Sequence, residues 1–575
     1  MGISPHVEPP SPRRGAHSAM PRSRPGSPAL QRLPSLVAAA LVALSINSAA
    51  AAPSGPGPDV PWNATTAEHL LNRAGFGASP REIRQAVEAG PEATIARLLD
   101  GARGPASLLD EGPELRGGVP LPPPLTADPG APTEWDEAPL LLDEQFYFDK
   151  GELHELVKIR DYSGRWIRSM VEGTAPLRDR LAVFWHGHFV SSNLEVGSGD
   201  NMVAQIDFLR SNALADFGSL VRGIARDPAM LEYLNNDLNV KKSPNENWAR
   251  ELMELFTLGE GNYTEADIKE TARAFTGWTK RDGKFVFSAD KHDFGQKTVL
   301  GVTGNLDGDD VIEILLEQPV CAEFIAGKLV GYLEGTPPSS ERTQRYAGLL
   351  RDSGYRFDTM LEALFRDPAF YREEVLGNRI AAPVEYFVGL ARRLGLEAMP
   401  DMLYVVSGMA GQRLFAPPNV KGWDEGMAWL TTSSVMRRSN LTALLLGDVD
   451  RDFRPAQARE SMAAGTGRLF NGPRRDYYSM ASWLKRMKWS PALTLTEALG
   501  PIEGRPTDEQ VLVALLDRLL AVHVDDERVA ELLAILAEVR AELELAETSL
   551  LAPEASAALE EMVHVILSLP EAQVL

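Results

Sequence analysis

"SPNENWARELMELFTLGEGNYTEAD", Ser243 to Asp267, packs five glutamates, one aspartate and three asparagines into one short stretch. It is either an acidic site for a metal or a proton, or the wet side of a helix pair. The local signals point to helices. Ser243-Pro244-Asn245-Glu246 reads as a capping box with proline at the first helical position. At about 100° per residue, Trp248, Ala249, Leu252, Leu255 and Phe256 share one face, and Glu246, Asn247, Arg250, Glu251 and Glu254 share the other. Arg250 stands four residues from both Glu246 and Glu254, the spacing of helical ion pairs. Gly259 stops this helix, and Thr264 with Asp267 caps the next, whose apolar face is Ile268, Ala272 and Phe275. Capping, the helix dipole and solvation thus account for nearly every acid. Glu251 and Glu254 are needed by neither cap, so they stay candidates for chemistry.

Outward from this stretch the pattern is helix upon helix. "LVRGIARDPAM" (Leu220–Met230) and "MLEALFRDPAF" (Met360–Phe370) each end an amphipathic run at Asp-Pro, so Asp227 and Asp367 cap new helices opened by Pro228 and Pro368. The copies are irregularly spaced, which makes them a repeated joint and not a solenoid. Trp62 to Leu99 reads as two helices, the second opened by Ser79, Pro80 and Glu82 and closed by Gly90. "GKFVFSADKHDFGQKTVLG" is the extended segment, a hairpin or two short strands. From Thr507 onward, apolar residues at helical spacing behind a Thr507/Gln510 capping box predict a small antiparallel bundle. The expected fold is mainly α: a large multi-helix domain over 62–445 with short β-hairpin or extended loops, then a C-terminal helical region over 446–575.

The first residues read as an address. Five arginines between Arg13 and Arg32 precede an apolar run from Leu36 to Ile46 and then "NSAAAAP". That order is a secretory signal over 1–52, cleaved near Ala50 or Ala52, with Met1 or Met20 as the start. The run is too short for an ordinary membrane span. A Pro/Gly linker over 53–61 follows, and the Pro/Gly/acid-rich stretch 101–137 reads as a mobile insertion. The expected location is periplasmic or extracellular. A formal charge of −22 and the lack of a basic run argue against a nucleic-acid partner. Cys321 is the only cysteine, so no intrachain disulfide forms, and its apolar surroundings read it as a small buried hydrophobe.

Chemistry is carried by few residues. "PLRDRLAVFWHGHFVSSN" holds His186 and His188; helical spacing points His188 inward with Leu177, Leu181 and Phe184, and His186 outward. "KHDFGQKTVLG" places His292 and Asp293 on a loop beside Lys297. "FAPPNVKGWDEGMAWL" sets Lys421 and Asp424 around Trp423, a pattern that suits a sugar or peptide groove as well as a loop pinned by its tryptophans. No HExxH, GxSxG, Walker loop or dinucleotide fingerprint is present. No cofactor is identified, and His188, Glu251, Glu254 and His292 are the residues that would suit a divalent metal.

Taken in order, "HLLNRAGFGASPREI", "FWHGHF", "NENWARELMELFTLGEGNYTEADIKETARAFTGW", "HDFGQKTVLG" and "FAPPNVKGWDEGMAWL" resemble the bacterial family catalogued as domain of unknown function 1800. The resemblance covers roughly His69 to Asn440, and the ending "ILSLPEAQVL" is similar to the family's usual one. It implies an exported, mostly helical protein, often encoded beside an exported alkaline-phosphatase-like protein. It implies no reaction and no catalytic residue. Two readings follow. One is a helical binding or assembly protein acting with a co-exported partner or a cell-surface polymer. The other is an exported hydrolase, with or without an assisting metal, in which His188, Glu251, Glu254, His292 and Asp293 converge.

Overall fold

The computed structural model describes residues 61–104, 107–109, 150–395, 400–445, 499, 506–522, 524–545 and 548–575. The stretch expected to be a secretory signal, nearly all of the expected linker, most of the expected insertion over 101–137 and most of 446–506 lie outside the described residues.

Among the described residues, twenty α-helices and two short antiparallel ladders make the fold, which is mainly α. Trp278–Arg281 pairs with Lys284–Phe287, and Lys297–Val299 pairs with Val302–Gly304. The segment expected to be extended therefore supplies one strand to each ladder. One apolar core runs from Ala67 in the first helix to Leu575 at the last residue. Cys321 lies in that core, and burial pushes its thiol up to about 12.

Helix starts follow the caps in the sequence. Ser79 and Glu82, Thr264 and Asp267, and Thr507 and Gln510 form reciprocal capping boxes. Asp227 caps Pro228–Tyr233, and Asp367 caps Pro368–Tyr371, the latter a single 3₁₀ turn. Two expectations fail. Trp62 to Leu99 is covered by three helices, because Gly90 at φ 83° ends one while Pro91 opens another at once. The capping box at Ser243 does not form, and the helix begins at Asn247. The segment before it is held otherwise: Val240 bridges Ser243, and Asn239 Oδ1 accepts the Asn245 N–H at 2.9 Å. Asn239 also donates to the Ala272 carbonyl, so its tertiary bonds win over the local cap.

From Leu252 to Thr257 the acidic helix widens into a π turn. This moves Glu254 out of reach of Arg250 and against Tyr263, whose hydroxyl donates to it at 2.8 Å. The expected Arg250–Glu254 pair is replaced by a two-pronged pair with Glu265, both arms at 2.9 Å, while Glu246 stays at 3.5 Å.

The C-terminal helices Asp508–Leu519, Asp526–Glu542 and Ser556–Leu567 pack on one another. The chain end then ties back into the middle of the fold. Ala381 N–H donates to the Gln573 carbonyl and Leu575 N–H to the Arg379 carbonyl, each at 2.8 Å. No helix among the described residues is long and apolar enough to cross a membrane.

Candidate functional site

The helix Pro176–His188 ends inside an aromatic shell. Phe184, Phe189 and Phe256 surround the His188 ring, with the Phe189 centroid at 4.5 Å. His188 Nε2–H donates to the Phe256 carbonyl at 3.1 Å, filling an acceptor that the last turn of the acidic helix leaves open. That bond fixes the tautomer and leaves a lone pair on Nδ1. Lys328 Nζ stands 3.1 Å from it and donates to it. Burial, then the charge of Lys328, holds the imidazole well below its ordinary pKa, so it is neutral at pH 7.

Lys328 and His188 line a pocket of about 70 Å³ with Tyr332, Arg379, Glu385 and Trp423. Behind its wall Glu385 is buried between two guanidiniums. Arg180 reaches it at 2.6 Å and Arg379 also pairs with it. Their attraction outweighs its burial and holds its carboxyl below the usual range. Both arginines lie against the Tyr332 ring, at 4.9 and 4.4 Å. The trio carries a net positive charge and is spent on the fold.

Lys328 is different. It keeps solvent contact, yet protein around its ammonium pushes its pKa down, with the charge of Glu425 pulling the other way. It makes no ion pair among the described residues, and His188 is its hydrogen-bond partner. Lys421, Asp424 and Glu425 line the same pocket, are exposed, and make no side-chain hydrogen bond or ion pair among the described residues.

The loop carrying them docks on the histidine helix through two glycines. A Cβ at Gly422, where φ is 92°, would stand 2.6 Å from the Gly187 carbonyl. A Cβ at Gly187 would meet the Trp423 ring at 3.7 Å. This docking overturns the outward reading of His186. The side chain is fully buried, its Nε2 accepts the Phe415 N–H at 2.9 Å, and Trp423 lies edge-on at 4.9 Å. Helical spacing finds one inner face; a loop from far along the chain covers the other.

Glu251 is half-buried near this rim. Burial first and Glu254 second push its pKa up, while Arg250 and Lys421 pull it back. The structure thus links Glu251 with Lys421, which were read as parts of separate sites. His292 and Asp293 are not among the residues lining the pocket. His292 Nδ1–H donates to the Thr276 carbonyl at 2.7 Å, and Asp293 pairs with Arg273 at 2.7 Å, which holds its carboxyl low. Lys297 in the same segment is buried, with Nζ donating to the carbonyls of Asp293, Gly295 and Leu306 at 2.5, 3.1 and 2.8 Å. Among the described residues no three His, Cys, Asp or Glu side chains are grouped to hold a metal.

A model of the family described as "Protein of unknown function (DUF1800)" matches residues 69–574. The chain belongs to that family. No curated protein and no solved structure matches it. The match runs through the C-terminal helices, consistent with the bonds from Gln573 and Leu575 to the Arg379–Ala381 wall of the pocket.

Sequence reasoning passed over Lys328, Tyr332, Arg379, Glu385 and Glu425. Lys328 left a signal: it is the one basic residue in "PVCAEFIAGKLVGYLE", a largely apolar helix whose other charges are Glu323 and Glu334. Glu385 left none, because a glutamate two residues after a helix-opening proline reads as a cap, and it does accept the Ala382 N–H at 3.0 Å.

Proposed function

We propose that this is an exported bacterial binding protein that engages a co-exported alkaline-phosphatase-like partner or a cell-surface polymer through the Lys328 pocket. One observation carries the reading: "FWHGHF" and "KGWDEGMAWL" line one pocket, "NENWARELMELF" holds the pocket's histidine through the Phe256 carbonyl, and the rim charges Lys421, Asp424 and Glu425 are not used by the fold. Export is supported by the basic, apolar and small-residue order of the first residues. The test is calorimetric titration of the purified protein with the neighbouring exported protein and, separately, with isolated cell-envelope polymer. Lys421 and Asp424 are exposed, so a Lys421→Ala/Asp424→Ala variant keeps its fold, and its affinity falls about tenfold if each lost rim contact is worth about 0.7 kcal/mol. Wild-type affinity in that variant, or no binding of either candidate, would overturn the reading.

One observation favours a second reading, a hydrolase. Burial and the neighbouring Glu254 push the Glu251 carboxyl up, the direction that suits a general acid. Turnover of the bound polymer, abolished by Glu251→Gln while binding persists, would replace the first reading by this one.

A further inference from the structure

We propose that Lys328 is a covalent capture site, condensing reversibly with a small aldehyde or keto group that enters the pocket to give an imine. The geometry carries this beyond the binding reading and independently of it. A surface lysine is ordinarily a hydrated ammonium, and a buried one is ordinarily consumed by carbonyls or a carboxylate, as Lys297 is. Lys328 is neither. Its partner is the Nδ1 lone pair of a neutral imidazole, and the Phe256 carbonyl prevents that nitrogen from carrying the ring proton. An acceptor of this kind receives a hydrogen bond from the amine and offers it no proton, so it does not compete for the amine's lone pair.

The other charges around Lys328 suit the reaction. Glu425 is the carboxylate whose charge acts on it, and Arg379 is held by Glu385 and by the Tyr332 carbonyl. Lys421 and Asp424 stand on the mouth side. Size favours a small ligand: the space is about 70 Å³ against ~150 Å³ in a cavity that holds benzene, which suits a carbonyl group with a short substituent.

The step balances without an oxidant or a reductant. The Nζ lone pair forms a bond to the carbonyl carbon as the C=O π pair moves to oxygen. A proton leaves Nζ for solvent water and one reaches the oxygen from solvent, giving a carbinolamine. Its hydroxyl then departs as water with a proton taken from solvent, and the Nζ proton of the resulting iminium returns to solvent, the Glu425 carboxylate being the nearby charge that favours that cation. Amine and carbonyl become imine and water.

The test uses glyoxylate with cyanoborohydride, which reduces any imine to a stable secondary amine, read by peptide mass spectrometry over time. Lys241, Lys269 and Lys291 are exposed and serve as references within the same chain. Lys328 is expected to label about tenfold faster at pH 7 for each unit by which its pKa lies below theirs. Its rate against pH is expected to reach its midpoint below the midpoint of the references, a readout that needs no variant. In His188→Gln the amide can donate to Nζ and compete for its lone pair, so the Lys328 rate is expected to fall, while the remaining burial keeps it above the reference rate and the references are unchanged. Equal rates and equal midpoints in the wild type would overturn the proposal, whether or not the variant folds. Loss of partner binding with Lys328 labelling intact would break only the function proposed above.

Discussion

Two corners of this molecule set a buried histidine near a lysine, and they use the pair in opposite ways. In the ladder corner His292 donates to the Thr276 carbonyl while Lys297 spends its three donors on three carbonyls. In the pocket corner His188 likewise donates to a carbonyl, but Lys328 faces solvent with one imidazole contact and no counter-charge in pairing distance among the described residues. Both corners lie within the residues the family model matches, so a histidine-bearing segment does not by itself separate architecture from function. The lysine does. Where its donors end on backbone, removing it leaves buried acceptors bare; where they do not, removing it leaves the fold as it was.

The largest effect should come from the wall behind the pocket. Glu385→Gln leaves Arg180 and Arg379 buried without their shared carboxylate, and about 3–5 kcal/mol of stability should be lost. Urea unfolding measures it. A loss below about 1 kcal/mol would mean that water or Glu425 neutralises those guanidiniums, and that the wall belongs with the open pocket and not with the fold.

Next comes the direct contrast of the two lysines. Lys297→Met strands the Asp293, Gly295 and Leu306 carbonyls, of which at least one stays buried, for a loss of about 2–3 kcal/mol. The same substitution at Lys328 should change stability by no more than about 0.5 kcal/mol. Equal losses at both positions would erase the distinction between the corners. A smaller loss, about 1–2 kcal/mol, is expected for Gly422→Ala, where φ of 92° and the Gly187 carbonyl leave no room for a Cβ. Trp423 fluorescence should shift in that variant, because the loop has to lift from the histidine helix.

How far the sequence shows this contrast depends on the range of the forces involved. Caps act over three residues, so Ser79, Asp227, Thr264 and Thr507 are legible and hold. The inward face of His188 is legible from helical spacing alone, and so is the burial of Trp248, Ala249, Leu252 and Phe256. The Ser243 box fails although its residues are right, because Asn239 claims the Asn245 backbone first. His186 fails because Phe415, more than two hundred positions away, supplies its cover. The pocket combines both difficulties. It is assembled from the ends of helices and a distant loop, and its central lysine shows in the sequence only as the one basic residue of a largely apolar helix. Glu251 and Lys421 could each be picked out as candidates, but nothing in the spacing of one could show its nearness to the other.

The smallest effect on stability carries the sharpest test of the pocket. In Lys328→Met the fold persists, and the positive charge that helps depress His188 is gone. Burial is the larger cause and remains, so the imidazole pKa should rise yet stay below its ordinary 6.5. The sign for stability follows from the same shift. In the wild type the folded imidazole refuses a proton that the unfolded chain accepts, so this histidine's contribution is intact above pH 6.5 and is lost as the pH falls below it. Raising the folded pKa narrows that window from its acid side, so Lys328→Met should stop losing stability at a higher pH than the wild type does. Imidazole resonances followed by NMR, together with urea unfolding over a descending pH series, read both halves. An unchanged His188 pKa in the variant would show that the 3.1 Å contact carries no charge from lysine to imidazole, and Lys328 would then be an ordinary surface amine beside a core histidine.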